Sequence, residues 1–191
     1  MVTRRIDPRD LVLAIVAFNE NKRVEGRTLL QKLAYFLNEK LALGMEFEPY
    51  YYGPYSESIA KATNTLVALG FLNEKEEHFP ASPTNIFEPR RFTYELTSAG
   101  ETILAELRRG DPTLFDSINK VMEDIITTEK CDYECLSRAA KMFHILKSQG
   151  RAMKPSQLSN AARDLGWGLT QDEINIVADF LKELGLIKEL P

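Results

Sequence analysis

Apolar positions recur at intervals of three and four along most of the chain, and the breaks between these runs carry helix-end signals. Asp7-Pro8 places a capping carboxylate before a first-turn proline, with Leu11, Ile15 and Phe18 following on one face, which predicts a helix over 8–19. Thr28 to Gln31 reads as a capping box opening a second helix, with Leu29, Leu30, Leu33, Phe36, Leu37 and Leu41 on its apolar side. Phe47 to Tyr52 reads as a short extended segment, after which Gly53-Pro54 starts a third helix over 54–69, closed by Gly70. The period then changes to two. Phe71–Glu77 and Arg91–Leu96 are expected to pair as strands, Phe92, Tyr94 and Leu96 facing inward, around a projecting loop that holds Pro80, Pro83 and Pro89. Ser98-Ala99-Gly100-Glu101 is a further capping box for a helix to Arg109, with Thr97 as the alternative cap, and Asp111-Pro112 opens one to Thr128. From Asp132 the pattern is helical throughout, over 134–149, 155–165 and 170–184.

The interruption at Glu129-Lys130-Cys131-Asp132 divides the chain into a first module (1–109), a linking helix (110–131) and a C-terminal helical module (132–191). An internal echo accompanies this division. Thr65–Glu74 and Asp179–Lys188 both read as a helix end, a glycine turn and an apolar strand start. The linking helix carries an apolar line of Leu114, Ile118, Val121 and Ile125, which supplies a pairing surface for a homodimer.

The 191 residues carry 24 basic and 28 acidic side chains, a net charge of −4. A protein that grips phosphates over a broad surface has a basic surplus, so any basic face here is local. No apolar run reaches the length of a membrane-spanning helix and the N-terminus lacks the apolar core of a signal peptide, which makes the cytoplasm the expected compartment. Cys131 and Cys135 stand four apart and the histidines are His78 and His144, with no standard ligand spacing. Two reduced cysteines and no metal are expected. The phosphate-binding glycine loops, zinc-protease and nucleophile-elbow motifs are all missing, so neither catalytic residues nor a cofactor are assigned.

The predicted order of three helices, strand, loop, strand and helix is that of a winged helix-turn-helix. Arg90-Arg91-Phe92-Thr93-Tyr94-Glu95-Leu96-Thr97-Ser98-Ala99-Gly100 resembles the second wing strand and following helix of MarR- and PadR-type regulators, and Leu69-Gly70-Phe71-Leu72 resembles the exit of their recognition helix. Residues 28–59, with Leu33-Ala34-Tyr35-Phe36-Leu37 and the Tyr52-Gly53-Pro54 turn, resemble YwgA-type proteins and, more distantly, SocA-like antitoxin domains. The fold class that follows is mainly α (α+β). It combines a winged helix-turn-helix bearing a small β-hairpin wing, a linking helix and a second, helix-turn-helix-like module.

The function that follows is a dimeric transcriptional regulator binding double-stranded DNA. On the third helix Ile59, Ala62, Leu66 and Leu69 form the expected buried stripe and Glu57, Lys61, Asn64 and Ala68 the outer line. Tyr55, Ser58, Lys61 and Asn64, with Arg90 and Arg91 of the wing, are the candidate nucleic-acid contacts. Arg27, Lys32 and the N-terminal Arg4, Arg5 and Arg9 are further phosphate contacts. Tyr50, Tyr51 and Tyr52 read as a strand with alternate rings in the core, and Trp167 as the plug of a small C-terminal core. The last helix presents Asp172, Asp179 and Glu183 outward, which suits a protein partner rather than phosphates. The alternative function is a non-enzymatic protein-interaction or antitoxin-like adaptor that uses the same fold without touching DNA. A positive band over Lys61, Arg27 and Arg91 separates the first reading from the second, whose mark is a neutral face with an apolar patch.

Overall fold

A computed structural model describes residues 5–78, 90–127 and 133–188. The chain runs α1 (Pro8–Phe18), β1 (Arg23–Glu25), α2 (Arg27–Leu41), β2 (Glu48–Tyr50), β3 (Gly53–Tyr55), α3 (Glu57–Ala68), β4 (Leu72–His78), β5 (Arg90–Leu96), α4 (Ser98–Gly110), α5 (Pro112–Ile126), α6 (Tyr133–Gln149), α7 (Pro155–Asp164) and α8 (Gln171–Glu183). The molecule is mainly helical with a small antiparallel sheet. The proline-rich loop and the 129–132 interruption lie outside the described residues, as does Arg4.

Two helices form the centre. Leu11 to Val16 of α1 are buried without a break, so α1 is enclosed on all sides, by α2 to α5 and the sheet. Its start follows the sequence: the Asp7 carboxylate accepts from the Arg9 N–H at 2.9 Å. From Leu30 to Asn38 α2 is likewise buried throughout, with α1 and α5 on one side and α6 and β3 on the other. Of the polar groups caught there, Gln31 and Asn38 are hydrogen-bonded and the Tyr35 hydroxyl has no partner. Gln31 does not close a capping box with Thr28, because α2 is capped two residues earlier, at Gly26. Its amide instead bonds both the N–H and the C=O of Ser56, at 2.9 and 3.0 Å. This fixes the entry to α3.

The main sheet has the order β1-β5-β4. Val24 and Glu74 flank Tyr94 on either side, and Leu72 pairs with Leu96. The three-residue β1 is too short to show in the apolar pattern. Phe92 and Tyr94 turn inward as expected, while Leu96 is half-buried. A second, two-stranded sheet joins β2 to β3 through a turn at Tyr51-Tyr52. These extended residues displace the start of α3 to Glu57.

The junction into α4 rests on two residues. Thr97 Oγ1 accepts from the Gly100 N–H at 3.0 Å and lies 2.8 Å from the Gly70 carbonyl, to which it donates. It, not Ser98, is the cap. A Cβ on Gly100 would stand 2.3 Å from the Phe71 carbonyl oxygen, so only glycine lets α4 sit this close to the end of α3.

The apolar line of α5 faces inward. Leu114, Ile118, Val121 and Ile125 are all at most 6 % exposed, packed against α1, α2 and α4, so the line assigned to homodimer pairing belongs to the chain's own core. The C-terminal helices close on the other side of α2, where Phe36 meets Phe180 edge-on and Tyr35 lies against Phe143 and His144. Trp167 is buried as expected, and its Nε1–H also donates to the Tyr50 carbonyl at 2.8 Å, tying this region to the β2–β3 hairpin. The echo between 65–74 and 179–188 has a structural counterpart. Gly70 and Gly185 both take positive φ and close their helices with the same pair of backbone bonds, although a strand follows only the first among the described residues. Cys135 is disulfide-bonded, which corrects the expectation of reduced cysteines; Cys131 lies outside the described residues.

Candidate recognition surface

The outer line of α3 is exposed. Glu57, Lys61, Asn64 and Ala68 face solvent, while Ile59, Ala62, Thr63 and Leu66 are buried beneath them. Leu69 departs from the expected stripe and is 57 % exposed, because the helix ends there and its last side chain overhangs the glycine turn. Ser58 is exposed, with its hydroxyl 2.9 Å from that of Ser56. Asn64 makes no side-chain hydrogen bond among the described residues and borders a cleft next to the helix. Tyr55 is half-buried and lies 5.2 Å from the Tyr50 ring. The structure therefore brings four of the candidate contacts together along one ridge and its flank.

Arg90 and Arg91 are exposed at the start of β5, away from that cleft. Arg90 pairs with Glu76 at 3.2 Å and Arg91 with Glu25 at 3.4 Å. Lys75 pairs with Glu95, and Lys61 with Glu57 at 2.8 Å one turn away. Arg27 lies 3.6 Å from Glu74, with its guanidinium over the Phe92 ring and its Nε–H donating to the Tyr94 hydroxyl. Each of these cations thus faces a carboxylate, and the charge along α3 and the sheet is balanced rather than positive. Of the other expected phosphate contacts, Arg9 is held by Asp7.

Lys32 is a correction. It is 1 % exposed and unavailable as a surface contact. Its ammonium passes beneath the hairpin, 3.5 Å from the Pro54 carbonyl, and would stand 2.9 Å from any Cβ at Gly53. Burial, helped by the neighbouring Lys141, lowers its pKa to about 7. Lys141 itself is lowered for the same first reason.

The tyrosines are a second correction. Tyr50, Tyr51 and Tyr52 are 62 %, 61 % and 40 % exposed, so no ring of the three enters the core. The hairpin extends outward from α2, and only Gly53 and Pro54 are buried on it. Tyr51 and Tyr52 meet edge-on at 5.1 Å. Asp172, Asp179 and Glu183 of α8 are exposed as expected. Among the described residues no helix is long and apolar enough to cross a membrane, and no group of three His, Cys, Asp or Glu is placed to hold a metal.

Sequence reasoning missed the hairpin's exposure and the burial of Lys32. A signal for the latter exists: Lys32 stands on the apolar side of its helix, three residues after Leu29 and four before Phe36. No protein-family model matches the chain, and no curated protein matches it.

Proposed function

We propose that the chain is a non-catalytic protein-binding module built on a winged-helix frame, with the tyrosine hairpin and the outer line of α3 as its contact surface. The order α1, β1, α2, α3, β4, β5, interrupted by the β2–β3 hairpin between α2 and α3, with β5 between β1 and β4, supports the winged-helix assignment. The observation that carries the function is the pairing of Arg27, Lys61, Lys75, Arg90 and Arg91 with carboxylates beside an exposed aromatic hairpin. A duplex presents a continuous row of phosphates, and the glutamates on this face oppose it. Exposed tyrosines are anchor residues of protein interfaces, because each supplies a large rigid face and a hydrogen-bonding hydroxyl at small entropic cost. A rim of mixed, balanced charge suits the same use.

DNA binding is the second reading, favoured by the accessibility of Lys61 and Asn64 on a ridge that carries the small Ala68. Surface ion pairs are weak enough for phosphates to replace the glutamates.

One pair of measurements separates the two. Fluorescence anisotropy with random duplex at low salt is expected to show no binding at about 10 μM protein. Affinity capture from the source cells is expected to retain a protein that the Tyr50→Ala/Tyr51→Ala variant loses and the Arg90→Ala/Arg91→Ala variant keeps. Duplex binding that disappears in a Lys61→Ala/Arg90→Ala/Arg91→Ala variant would overturn the protein reading in favour of DNA.

A further inference from the structure

The cleft bordered by Asn64 lies between the first turn of α2, the β2–β3 hairpin, α3 and β5, with a volume of about 440 Å³. That is the size of sites that enclose small organic ligands. Its lining is unlike the rest of the molecule. The chain carries 28 acidic side chains against 24 basic, yet the cleft is lined by two cations, Arg27 and Lys32, and by no Asp or Glu. The nearest carboxylate to Arg27 is that of Glu74, 3.6 Å away on β4 and not itself part of the lining.

Two further features point the same way. Lys32 is 99 % buried yet makes no ion pair among the described residues, and its three N–H donors have one protein acceptor, the Pro54 carbonyl at the long distance of 3.5 Å. A buried ammonium left in this state is costly, and an anion offsets that cost. Helix α2 begins behind Gly26 with no side chain capping its first turn, and Arg27 and Thr28 of that turn line the cleft. A helix start with free N–H groups favours an anion. The lining also holds four tyrosines, Tyr50, Tyr52, Tyr55 and Tyr94, with the Tyr50 and Tyr55 rings 5.2 Å apart.

We propose that this cleft binds a nucleoside monophosphate, with the phosphate against Arg27, Lys32 and the first turn of α2 and the base against the tyrosines. The phosphate answers the Lys32 ammonium, which has no ion pair among the described residues, with Arg27 shared between it and Glu74, and a flat base answers the exposed ring of Tyr50 and the half-buried one of Tyr55. The proposal goes beyond the protein-binding reading and stands whether or not the hairpin docks a protein.

Titration calorimetry of the full chain with AMP, GMP, CMP and UMP tests it, with inorganic phosphate and the parent nucleosides as the separated halves. At least one monophosphate is expected to bind one-to-one and more tightly than either of its halves. Lys32→Met and Arg27→Gln are each expected to weaken it about tenfold, the loss of one charge-assisted contact. Circular dichroism checks that each variant is folded; should Lys32→Met fail, Arg27→Gln and Tyr55→Leu carry the test. No saturable binding of any of the four at about 1 mM, or binding that ignores these substitutions, overturns the proposal. Binding confined to an oligonucleotide overturns it as well.

Discussion

Replacing Lys32 by methionine keeps most of the length of the side chain, one atom short, and removes a cation that the fold has taken out of water. The pKa of about 7 in place of the ordinary 10.5 sets the magnitude. At about 1.4 kcal/mol per pH unit, the gap corresponds to about 5 kcal/mol for holding the charged form in the folded chain. The sign follows from proton counting. Between pH 7 and 10.5 the unfolded chain keeps a proton that the folded chain has released, so stability rises with pH across that window. Below pH 7 both states are protonated and the burial cost is present in full. At pH 6 it is about 5 kcal/mol and at pH 9 about 2 kcal/mol. Lys32→Met is therefore expected to be more stable than the parent at pH 6, and its advantage should shrink by about 3 kcal/mol by pH 9. Urea unfolding followed by circular dichroism at the two pH values measures this. The pH dependence is the decisive part, because packing gains from the methionine and the titration of distant groups cancel in it. An advantage that stays constant with pH, or a variant less stable at pH 6, would refute the reasoning and place the ammonium in contact with water.

Three further outcomes follow from the packing. Gly100→Ala drives a methyl onto the Phe71 carbonyl and should cost about 1–3 kcal/mol, seen as a fall in Tm of several degrees; an unchanged Tm would contradict the close approach. Trp167→Phe removes the bond to the Tyr50 carbonyl and should cost about 1 kcal/mol or more, with increased proteolysis of the 48–55 hairpin as its local signature. Ile118→Ala should cost about 2–5 kcal/mol independently of protein concentration, since the residue is fully buried within one chain; a loss that disappears at high concentration would restore the pairing role of α5.

Helix caps were the most legible feature of the sequence, because Asp7, Asp111 and Thr170 each act within three residues of themselves. The same logic failed at Thr28 and Gln31. Gln31 has a competing partner 25 residues away at Ser56, and a local motif carries no record of such a partner. Strand β1 escaped detection because three residues with one buried side chain show no period, and its place is set by Tyr94 on the strand it joins. The ridge of α3 was readable from spacing alone. Its electrostatics were not, since Glu25, Glu74, Glu76 and Glu95 come to the basic side chains through strand register. The exposed tyrosines were misread for a related reason. Alternation tells which residues share a face of a strand, but here β3 takes the buried side of the hairpin with Gly53 and Pro54 and leaves the outer strand β2 exposed at every residue.

The enclosure of α2 bears on how this chain can be divided. A fragment ending at residue 127 would strip Phe180 from Phe36, Phe143 from Tyr35 and Trp167 from the hairpin, uncovering most of one flank of a nine-residue buried stretch and leaving only β3 against it. Such a truncation would seek replacement surface in copies of itself, so aggregation of the isolated N-terminal part would speak of a missing wall rather than of a natural habit of self-association.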